Sequence, residues 1–369
     1  MKVLYFTRGQ TPHDLRFTKA LAETSHKVFV LCLDADQRRK WPGGVYEVAW
    51  QGINMRLGWL AASARLGRLK TVFETLKPDL VHAGPIQSAA WLTALAGFHP
   101  LVSMSWGSDL MFEADRSESA RRITRFTLAR SDVLVGDCAC VGQKAQSFGF
   151  DLARYRQFPW GVDLKHFAPA VSTRLREKLG WVGKTVLLST RSFEPIYGVD
   201  VLINAFALAA RQNPDLRLLL LGHGSHEKRL AALVKQLDLQ QKVHFYGTAT
   251  VEELPDLYHS ADFYLSASHS DGSSVSLMEA LACGLPVIVS DIPGNLELVT
   301  EGEQGWLFKD GDAEGFSHKI LLAVAQGSAL AAMKKGNRFL AKKRADWKKN
   351  FAVLLEAYEL ASQKGNAHA

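Results

Sequence analysis

The chain has 369 residues, of which 47% are hydrophobic and 22% are charged, a composition typical of a soluble globular protein. This length predicts two domains, each able to bury a core of its own. The formal net charge of +7 at pH 7 suits anionic partners such as phosphate-bearing substrates, nucleic acid or an anionic membrane, although a mildly basic enzyme explains it as well. The four cysteines have no disulfide-framework spacing, and no segment reaches the roughly 18 apolar residues that span a bilayer. These features exclude a disulfide-stapled secreted domain and a membrane-spanning protein.

The first half of the chain alternates strand patterns with helical patterns. The strand patterns are KVLYF, KVFVLCL, DLVHA, LVSMSW and DVLVG, and the helical ones are LRFTKALAET, MRLGWLAASARLGRLKTVFETL, QSAAWLTALAG and SARRITRFTLARS. Because the strands are apolar on both faces, they predict a parallel sheet covered by helices on both sides. The opening MKVLYFTRGQ is too short in apolar residues for a signal peptide. Together with the cysteine usage, this predicts a cytoplasmic protein, with peripheral contact at the inner membrane face as the alternative.

The second half repeats the rhythm after the junction QFPWGVDLKHFAP, residues 157–169. Its strand patterns are TVLLST, LRLLLLG, KVHFYG, DFYLSAS and PVIVSD, and its helical ones are VDVLINAFALAARQ, SHEKRLAALVKQLDL, VEELPDLYHSA, VSLMEALACG and EGFSHKILLAVAQG. The fold class is therefore α/β, with two Rossmann-like, doubly wound domains over 1–165 and 170–345. We expect the C-terminal helix, 346–369, to cross back to the first domain. Ligands of such sheets bind beyond the carboxyl ends of the strands, so we expect the site in the loops there, at the cleft between domains.

Two of these loops carry residues suited to a phosphorylated ligand. Gly222 and Gly224 follow the LRLLLL strand, where they allow a tight turn and leave room for a ligand, and Ser225 is positioned to cap the next helix. Such turns are common in α/β proteins, and the absence of a full G-x-G-x-x-G gives no support to dinucleotide binding. Arg191 follows the first strand of the second domain, where a forked cation suits a diphosphate.

The stretch HSDGSS follows the DFYLSAS strand and precedes a helix. Ser273 or Ser274 is expected to cap that helix, which runs from about 275 to 283 and leaves free N–H groups and a positive dipole end for a phosphate. Glu279, about a turn inside, is placed to bind a cis-diol such as a ribose, and Asp271 to reach a second polyhydroxylated group. The alternatives are a turn-forming Asp271 and an exposed helical Glu279.

The segment DGSSVSLMEALACGLPVIVSDIPGNLELV resembles the acidic-x7-Glu signature of the retaining glycosyltransferases of group 1 (family four), which have the GT-B fold. The block from LLGHGSHEKRL to SASHSDG is similar to the one that precedes this signature, and KPDLVHA, SWGSDL and FPWGVDLKHFAP match further landmarks in order. The resemblance implies an acceptor-side first domain and a donor-binding second domain. It also implies retaining sugar transfer from a nucleoside-diphosphate sugar to a glycan or lipid-linked acceptor, in cell-surface polysaccharide or glycoconjugate synthesis, with no metal, other cofactor or nucleic-acid partner.

The resemblance assigns roles to individual residues. It implies that Glu279 binds the ribose, Asp271 holds sugar hydroxyls near the anomeric carbon, and Arg191 clamps the distal phosphate. Main-chain groups of the donor-binding loops complete the site, with the loop at 247–248 offering its edges to the base. The implied donor-binding residues are Gly222, Gly224, Gly247, Thr248, Gly272, Ser273, Ser274 and Val275.

The sequence departs from the family pattern in the donor-binding domain. Asp271 stands where the family has glutamate, one methylene longer. The family's R-x-x-x-x-K-G pattern is here RSFEPIYG, one residue longer, with Tyr197 in place of the lysine. This change predicts a phosphate clamp that has lost a charge or takes one from elsewhere.

Further departures fall in the first domain. Trp106 replaces a histidine of the family, while Asp109 is retained, and the N-terminal loop RGQTPHDLRF lacks the common Gly-Gly pair. That loop offers other polar side chains where an acceptor is expected to enter, although helix capping explains Asp14 equally well. The acceptor-side candidates are His13, Asp14, Arg16, Trp106 and Asp109.

Other interpretations remain open at this point. Asp34 and Asp36 form a D-x-D pair after a strand, as in metal-dependent transferases of another fold. His223 and His226 are spaced for a metal but lack a third ligand. The functional alternatives are a nucleotide-sugar-binding protein without turnover and a nucleotide-sugar epimerase. The segment MRLGWLAASARLGRLKTVF interleaves basic and apolar residues, which suits an anionic membrane or an ordinary sheet-covering helix.

Overall fold

The computed structural model of the chain describes residues 1–34, 40–49, 59–327 and 330–365, with no side-chain placement for 59–65 and 364–365. The chain divides into two compact units. The first contains the described residues of Met1–Phe158 and Phe351–Ala369, and the second is Pro159–Asn350. The division falls seven residues before the expected end at 165, because Val162 N donates to Ala345 O at 2.8 Å and Val162 O accepts from Trp347 N at 3.2 Å, contacts within the second unit.

The first unit contains a seven-stranded parallel sheet with the order β3-β2-β1-β4-β5-β6-β7. Its strands are β1 (Lys2–Thr7), β2 (Lys27–Cys32), β3 (Val45–Glu47), β4 (Leu80–Ala83), β5 (Leu101–Met104), β6 (Val133–Gly136) and β7 (Tyr155–Gln157). The order reverses between β1 and β4, the switch point of a doubly wound sheet. All five strands expected in this half are confirmed. The two edge strands, β3 and β7, are three residues long and lack the apolar run that marks a buried strand.

Helices cover this sheet on both faces. They are α1 (Pro12–Ala22), α2 (Trp59–Leu76), α3 (Trp91–Ala96), α4 (Ser108–Met111), α5 (Glu118–Arg130) and α6 (Ala139–Ser147). The predicted single helix QSAAWLTALAG begins as a π-helical turn, Ile86–Ala90, before it continues as α3. The unit is completed by the greater part of a C-terminal helix, α15 (Trp347–Gly365), which belongs to it from Phe351 onward.

A buried histidine joins that C-terminal helix to the sheet. His82 on β4 is fully buried, with its Nδ1 2.6 Å from the Tyr358 hydroxyl of α15 and its Nε2 3.3 Å from the Met104 sulfur. Burial lowers the pKa of His82 from 6.5 to about 3, because the charged imidazolium is poorly solvated inside the core. The ring is therefore neutral in the folded chain at physiological pH.

This histidine makes stability depend on pH. In the unfolded chain His82 takes up a proton near pH 6.5, whereas in the folded chain it resists protonation to about pH 3, so the free energy of unfolding falls as the pH is lowered through that window. Between pH 7 and pH 5 we expect His82 to contribute a loss of about 2 kcal/mol. Urea titrations at the two pH values test this: His82→Phe should reduce the difference between them, and His318→Gln, at an exposed position, should leave it unchanged. An unaltered pH dependence in His82→Phe would contradict the assignment.

The second unit contains a six-stranded parallel sheet with the order β10-β9-β8-β11-β12-β13. Its strands are β8 (Thr185–Ser189), β9 (Leu216–Leu221), β10 (Val243–Gly247), β11 (Phe263–Ser266), β12 (Val287–Ser290) and β13 (Gly305–Phe308). Successive residues of each strand enter opposite cores: Leu187 packs with Phe206 and Phe316 on one face, and Leu188 with Leu277 on the other. This is why the strands are largely apolar on both faces. The five expected strands are confirmed; the edge strand β13 was not predicted.

The helices of the second unit lie on both faces of this sheet. They are α7 (Arg174–Lys178), α8 (Val199–Gln212), α9 (Glu227–Gln236), α10 (Leu254–His259), α11 (Val275–Ala282), α12 (Pro293–Leu296), α13 (Ala313–Val324) and α14 (Leu330–Arg344). In the part of the chain that the structure describes, no helix has the length and apolarity needed to cross a bilayer. The doubly wound α/β architecture predicted for both halves is confirmed.

Candidate functional site

Arg191 joins residues from two loops of the second unit. It lies just beyond the carboxyl end of β8, and its Nη1 donates to Ser274 Oγ at 2.7 Å and to Ser276 Oγ at 3.0 Å. Its Nη2 donates to Asp271 Oδ2 at 2.6 Å. The strands β8 and β11 are neighbours in the sheet, which explains why the loops that follow them meet. The structure therefore brings together Arg191, Asp271 and Ser274, three of the candidates named from the sequence; their roles stay predictions.

The HSDGSS loop ends in a capped helix. Ser274 is the N-cap of α11, and its Oγ accepts a hydrogen bond from Leu277 N at 3.4 Å, so the second of the two capping candidates is the one observed. Asp271 Oδ1 accepts from Gly272 N at 2.9 Å. A Cβ on Gly294 would lie 2.2 Å from Gly272 O, which shows how closely the neighbouring backbone holds this turn. The N-terminal amides and positive dipole end of α11 thus lie beside the guanidinium.

Glu279 is held by a buried tyrosine. The carboxylate is half-buried, and its Oε2 accepts from the Tyr258 hydroxyl at 2.7 Å. The same hydroxyl lies 3.0 Å from Thr190 Oγ1 and 3.3 Å from Ser276 O. Burial, followed by the nearby Glu279 carboxylate, raises the pKa of Tyr258 well above 10, so it is a hydroxyl donor at all ordinary pH values. The alternative of an exposed helical Glu279 is wrong.

The electrostatics of the site centre on the pair formed by Arg191 and Asp271. Their side chains are only 10% and 18% exposed. Burial acts to lower the pKa of the Arg191 guanidinium, but the Asp271 carboxylate, with Tyr264 and Tyr197, more than offsets it and raises that pKa above its ordinary value. The Tyr197 ring centroid lies 4.1 Å from the Arg191 Cζ, a cation–π contact. In the position of the family's lysine there is thus an aromatic ring that stacks on the remaining cation.

One hydrogen-bonding group of Arg191 remains unpaired. Its Nε is buried and has no hydrogen-bond partner among the described residues. A buried donor without a partner is costly, and the Arg217 Nε of the same unit is in the same state. What suits Arg191 to an anionic ligand is its forked guanidinium beside the N-terminus of α11.

The glycines after β9 serve close backbone packing. A Cβ on Gly222 would lie 2.5 Å from Arg191 O, and one on Gly224 would lie 2.6 Å from the Phe193 backbone. Both positions therefore require glycine for the loop after β9 to pack on the loop after β8. Ser225 does not cap α9, contrary to expectation: its hydroxyl donates to Glu194, and His226 occupies the N-cap position without a side-chain cap.

The predicted base-binding loop is an open piece of backbone. Gly247 ends β10 with a φ of +82°, and no atom lies within 4 Å of a Cβ placed there. Its carbonyl accepts from Gly222 N at 2.9 Å, and Thr248 is exposed. Two donor-binding candidates remain. Ser273 is buried against Met278. Val275 is half-buried at the first position of α11.

Two acceptor-side candidates of the first unit are buried carboxylates. Asp14 is the third residue of α1 and completes a capping box with Thr11, and its Oδ1 accepts from the Tyr5 hydroxyl at 2.9 Å. The capping interpretation of Asp14 is thus confirmed. Asp109 accepts from Ser105 Oγ at 2.6 Å and from main-chain amides around it. Burial raises the pKa of both Asp14 and Asp109. Asp14 thus stabilises the loop after β1, and Asp109 stabilises the loop after β5.

The other three acceptor-side candidates are half-buried side chains of the same unit. The His13 ring centroid lies 6.4 Å from that of Trp106, so these two candidates are brought together. The Arg16 Cζ lies 6.0 Å from the Phe17 ring centroid. A role for His13, Arg16 and Trp106 in binding an acceptor stays a prediction.

The alternative metal ligands are not assembled in the described part of the chain. Asp34 is exposed and forms an ion pair with Arg8 at 3.6 Å, and its D-x-D partner Asp36 lies outside the described residues. Neither His223 nor His226 belongs to any group of three potential metal ligands among the residues whose placement is described. The expectation that sugar transfer needs no metal stays a prediction.

Four residues around this site were not predicted: Thr190, Tyr258, Tyr264 and Ser276. Tyr258 and Tyr264 are both fully buried, and each places its hydroxyl at Ser276, the former on its carbonyl and the latter on its Oγ at 2.8 Å. A buried tyrosine usually directs its hydroxyl to a polar partner, so the tyrosines in PDLYHSA and DFYLS were signals of a buried polar cluster. The pairing of Tyr258 with Glu279, 21 residues away, has no signal in a single sequence.

Comparison with known proteins assigns the chain to a family. A family model described as "Glycosyl transferases group 1" matches residues 171–338, and one described as "Glycosyl transferase 4-like" matches residues 2–137. A D-inositol 3-phosphate glycosyltransferase of Pseudarthrobacter chlorophenolicus is 25% identical over 303 residues, which cover 77% of this chain and 72% of the relative.

Two solved structures have the same fold over nearly the whole chain. Sucrose-phosphate synthase from Thermosynechococcus elongatus superposes with a TM-score of 0.82 at 20% identity, covering 100% of both chains. HepE of Anabaena, in complex with UDP and glucose, superposes with a TM-score of 0.80 at 20% identity, covering 97% of this chain and 99% of that one. These two structures show the GT-B fold, and the two family models confirm the resemblance read from the motifs: the chain belongs to the group 1 glycosyltransferases.

Proposed function

We propose that the protein is a retaining glycosyltransferase that moves a sugar from a nucleoside-diphosphate sugar to a glycan or lipid-linked acceptor in cell-surface polysaccharide or glycoconjugate synthesis. The observation that carries the proposal is the Arg191 guanidinium, which contacts Asp271 and Ser274 beside the N-terminus of α11. A guanidinium and a helix N-terminus together form a strong anion site. The UDP and glucose bound to HepE support such a donor, and the relative that acts on inositol 3-phosphate supports a polyol phosphate as one acceptor class.

Each group of the site has a place in this proposal. The main-chain amides of Ser274 and Val275, with Arg191, take the distal phosphate, and Glu279 accepts hydrogen bonds from the ribose hydroxyls. Asp271 uses one lone pair of Oδ1 for Gly272 N and one of Oδ2 for the guanidinium. A carboxylate has about four acceptor directions, so two remain for the hydroxyls of the donor sugar.

In the proposed reaction the bond between the anomeric carbon and the diphosphate oxygen breaks, and the acceptor oxygen bonds to that carbon on the same face. Negative charge develops on the departing diphosphate. Donors already aimed at that charge lower the barrier most, and Arg191 and the amides of α11 are such donors. The acceptor hydroxyl proton leaves with the departing phosphate or with solvent.

We predict that transfer does not require a divalent cation, because Arg191 and the positive end of α11 neutralise the leaving group. Nucleotide release from the donor, measured with a matching acceptor, should retain most of its rate in excess chelator. Strict dependence on manganese would contradict this prediction and favour the metal-dependent alternative.

The proposal is tested first by donor binding. Nucleoside diphosphates and their sugars are screened for a rise in melting temperature, since a ligand that binds only the folded state stabilises it. Candidate acceptors are then added and nucleotide release is measured. A protein that binds a donor but releases no nucleotide with any acceptor is a non-catalytic binder, and one that converts the donor without an acceptor is an epimerase.

Tyr258→Phe should weaken donor binding without unfolding the protein. The ring stays in the core, while Glu279 loses the hydroxyl that orients it. A hydrogen bond to a charged group contributes about 1.5 kcal/mol or more, so we expect about a 10-fold rise in the Kd of the bound nucleoside diphosphate. Isothermal titration calorimetry measures this, with Tyr46→Phe, at an exposed position, as the control. Equal affinities of Tyr258→Phe and the unsubstituted protein would show that Glu279 needs no such support.

We also propose a cytoplasmic location with peripheral contact at the inner membrane face. All four cysteines are free thiols, which supports a reducing compartment. The basic segment around α2 is only partly described, since Arg56 and Leu57 lie outside the described residues. Within α2, Leu69 is buried in the core while Arg68 and Lys70 are exposed. This pattern fits the sheet-covering interpretation of the helix.

A further inference from the structure

Helix α14 has one face against the second unit and one face toward solvent. On the inner face Asn337 is fully buried, and its Nδ2 donates to Leu285 O and Gln304 O, both at 2.8 Å. Those carbonyls precede β12 and β13, so the helix lies at the amino ends of these strands. Arg191 follows the carboxyl end of β8 in the same parallel sheet. The outer face of α14 is therefore not part of the candidate site.

The two arginines of α14 are used inside the unit. Arg338 Nη1 donates to Phe167 O at 2.6 Å and to Ala282 O at 2.8 Å, and its Nη2 donates to Leu164 O at 2.8 Å. Arg344 donates to another main-chain carbonyl. Both guanidiniums are therefore half-buried and engaged by main-chain carbonyls of their own unit.

The lysines of α14 are arranged in the opposite way. All four are exposed, and within the described ranges none of them forms an ion pair. They are Lys334, Lys335, Lys342 and Lys343. Residues 330–345 contain no aspartate or glutamate. The helix thus presents an uncompensated positive charge of about four, a large part of the net +7 of the whole chain.

An exposed aromatic ring lies at the centre of these lysines. Phe339 is 70% exposed, with Lys335 one turn before it and Lys342 and Lys343 one turn after it. Residues three and four apart share a helix face, so these four side chains form one surface, the Phe339 face. An aromatic ring surrounded by lysines on one helix face is the pattern of an interfacial helix.

We propose that the Phe339 face binds an anionic membrane surface. The lysine ammonium groups pair with lipid phosphates, and the phenylalanine ring inserts among the headgroups, as in interfacial helices. A membrane is favoured over nucleic acid because both arginines, whose planar forks suit phosphate and base recognition, are turned inward. One isolated ring on a convex helix also provides no groove for stacked bases. This inference does not depend on the chemistry of the candidate site.

Vesicle sedimentation of the full chain tests the proposal. With vesicles containing about 30% phosphatidylserine at low salt, the unsubstituted protein should bind, and high salt should release most of it. The triple substitution Lys335→Gln/Lys342→Gln/Lys343→Gln should lower the partition coefficient roughly 100-fold, given the contribution of each lysine near a charged surface. The matched control Lys178→Gln/Lys228→Gln/Lys235→Gln removes three exposed lysines of the same unit and should bind nearly normally.

A second variant separates the ring from the charges. Phe339→Ala should weaken binding several-fold, including the part that resists high salt, and Phe339→Trp should restore it. All these positions are exposed, so melting temperatures should not change. The proposal would be overturned if the unsubstituted protein did not bind anionic vesicles. It would also be overturned if the triple variant and its control lost vesicle binding equally. A third contrary result is loss of vesicle binding in Arg68→Gln/Lys70→Gln on α2 but not in the α14 variants. Binding of duplex DNA but not of vesicles would likewise reject a membrane partner.

Discussion

Arg191→Ala is expected to lower the affinity for the nucleoside diphosphate about 100-fold and to reduce transfer by a further factor of 10 or more. The guanidinium is the cation nearest the N-terminus of α11 in the proposed site, and removing one donor that stabilises a developing anion costs 10²–10³ in rate. Binding is measured by calorimetry and transfer by nucleotide release. Arg211→Ala, at an exposed position of α8, is the matched control and should behave as the unsubstituted protein.

Two companion variants separate charge from geometry at this position. Arg191→Lys keeps a cation but loses the fork that contacts Ser274 and Asp271 together, so we expect intermediate affinity. Arg191→Ala also leaves the Asp271 carboxylate, 18% exposed, without its partner, which lowers stability. Asp271→Asn relieves that penalty in the double variant. The double variant should regain the melting temperature of the unsubstituted protein but not its affinity for the nucleoside diphosphate. Normal donor affinity in Arg191→Ala alone would show that the phosphate binds elsewhere.

Glu279→Gln is expected to raise the Kd of the nucleoside diphosphate about 100-fold and to abolish its preference for ribose. The amide keeps an oxygen for the Tyr258 hydroxyl, so the fold is retained, but two charge-assisted hydrogen bonds from the ribose hydroxyls become neutral ones. Each loses on the order of 1–1.5 kcal/mol.

The test compares ribonucleoside and 2′-deoxyribonucleoside diphosphates by calorimetry. The unsubstituted protein should discriminate between them by a factor of 10 or more, and Glu279→Gln should treat them alike. Glu227→Gln, in the exposed first turn of α9, serves as the control. If Glu279→Gln preserved the discrimination, Glu279 would not be the ribose ligand.

The sequence predicted most of the sheets and the position of one helix terminus. Leucine and valine runs buried on both faces identify strands such as β8 and β9, because both of their faces meet a core. Ser274 was identifiable as a cap because a hydroxyl residue directly preceded a helical pattern. The edge strands β3, β7 and β13 were missed: β3 and β7 have only three residues, and β13, GWLF, begins with glycine and contains no valine or isoleucine.

The candidate site was predictable in its parts but not in its connections. Arg191 and Asp271 are 80 residues apart, and only the strand order of the sheet places the loops that contain them side by side. The loop RSFEPIYG suggested a lost cation; the structure places the Tyr197 ring against the guanidinium instead, a contact that depends on the course of the longer loop. Ser225 was mispredicted as a cap because Glu194, on a neighbouring loop, accepts its hydrogen bond.

The first unit is discontinuous in sequence, since His82 on its sheet bonds to Tyr358 at the far end of the chain. The whole second unit is therefore synthesised before the greater part of α15, the last helix that packs on the N-terminal sheet. Until then His82 lacks its Tyr358 partner, and the surface of the first unit that α15 covers stays open to chaperones and proteases. A premature stop codon shortly before Tyr358 should thus damage the half of the molecule that was translated first.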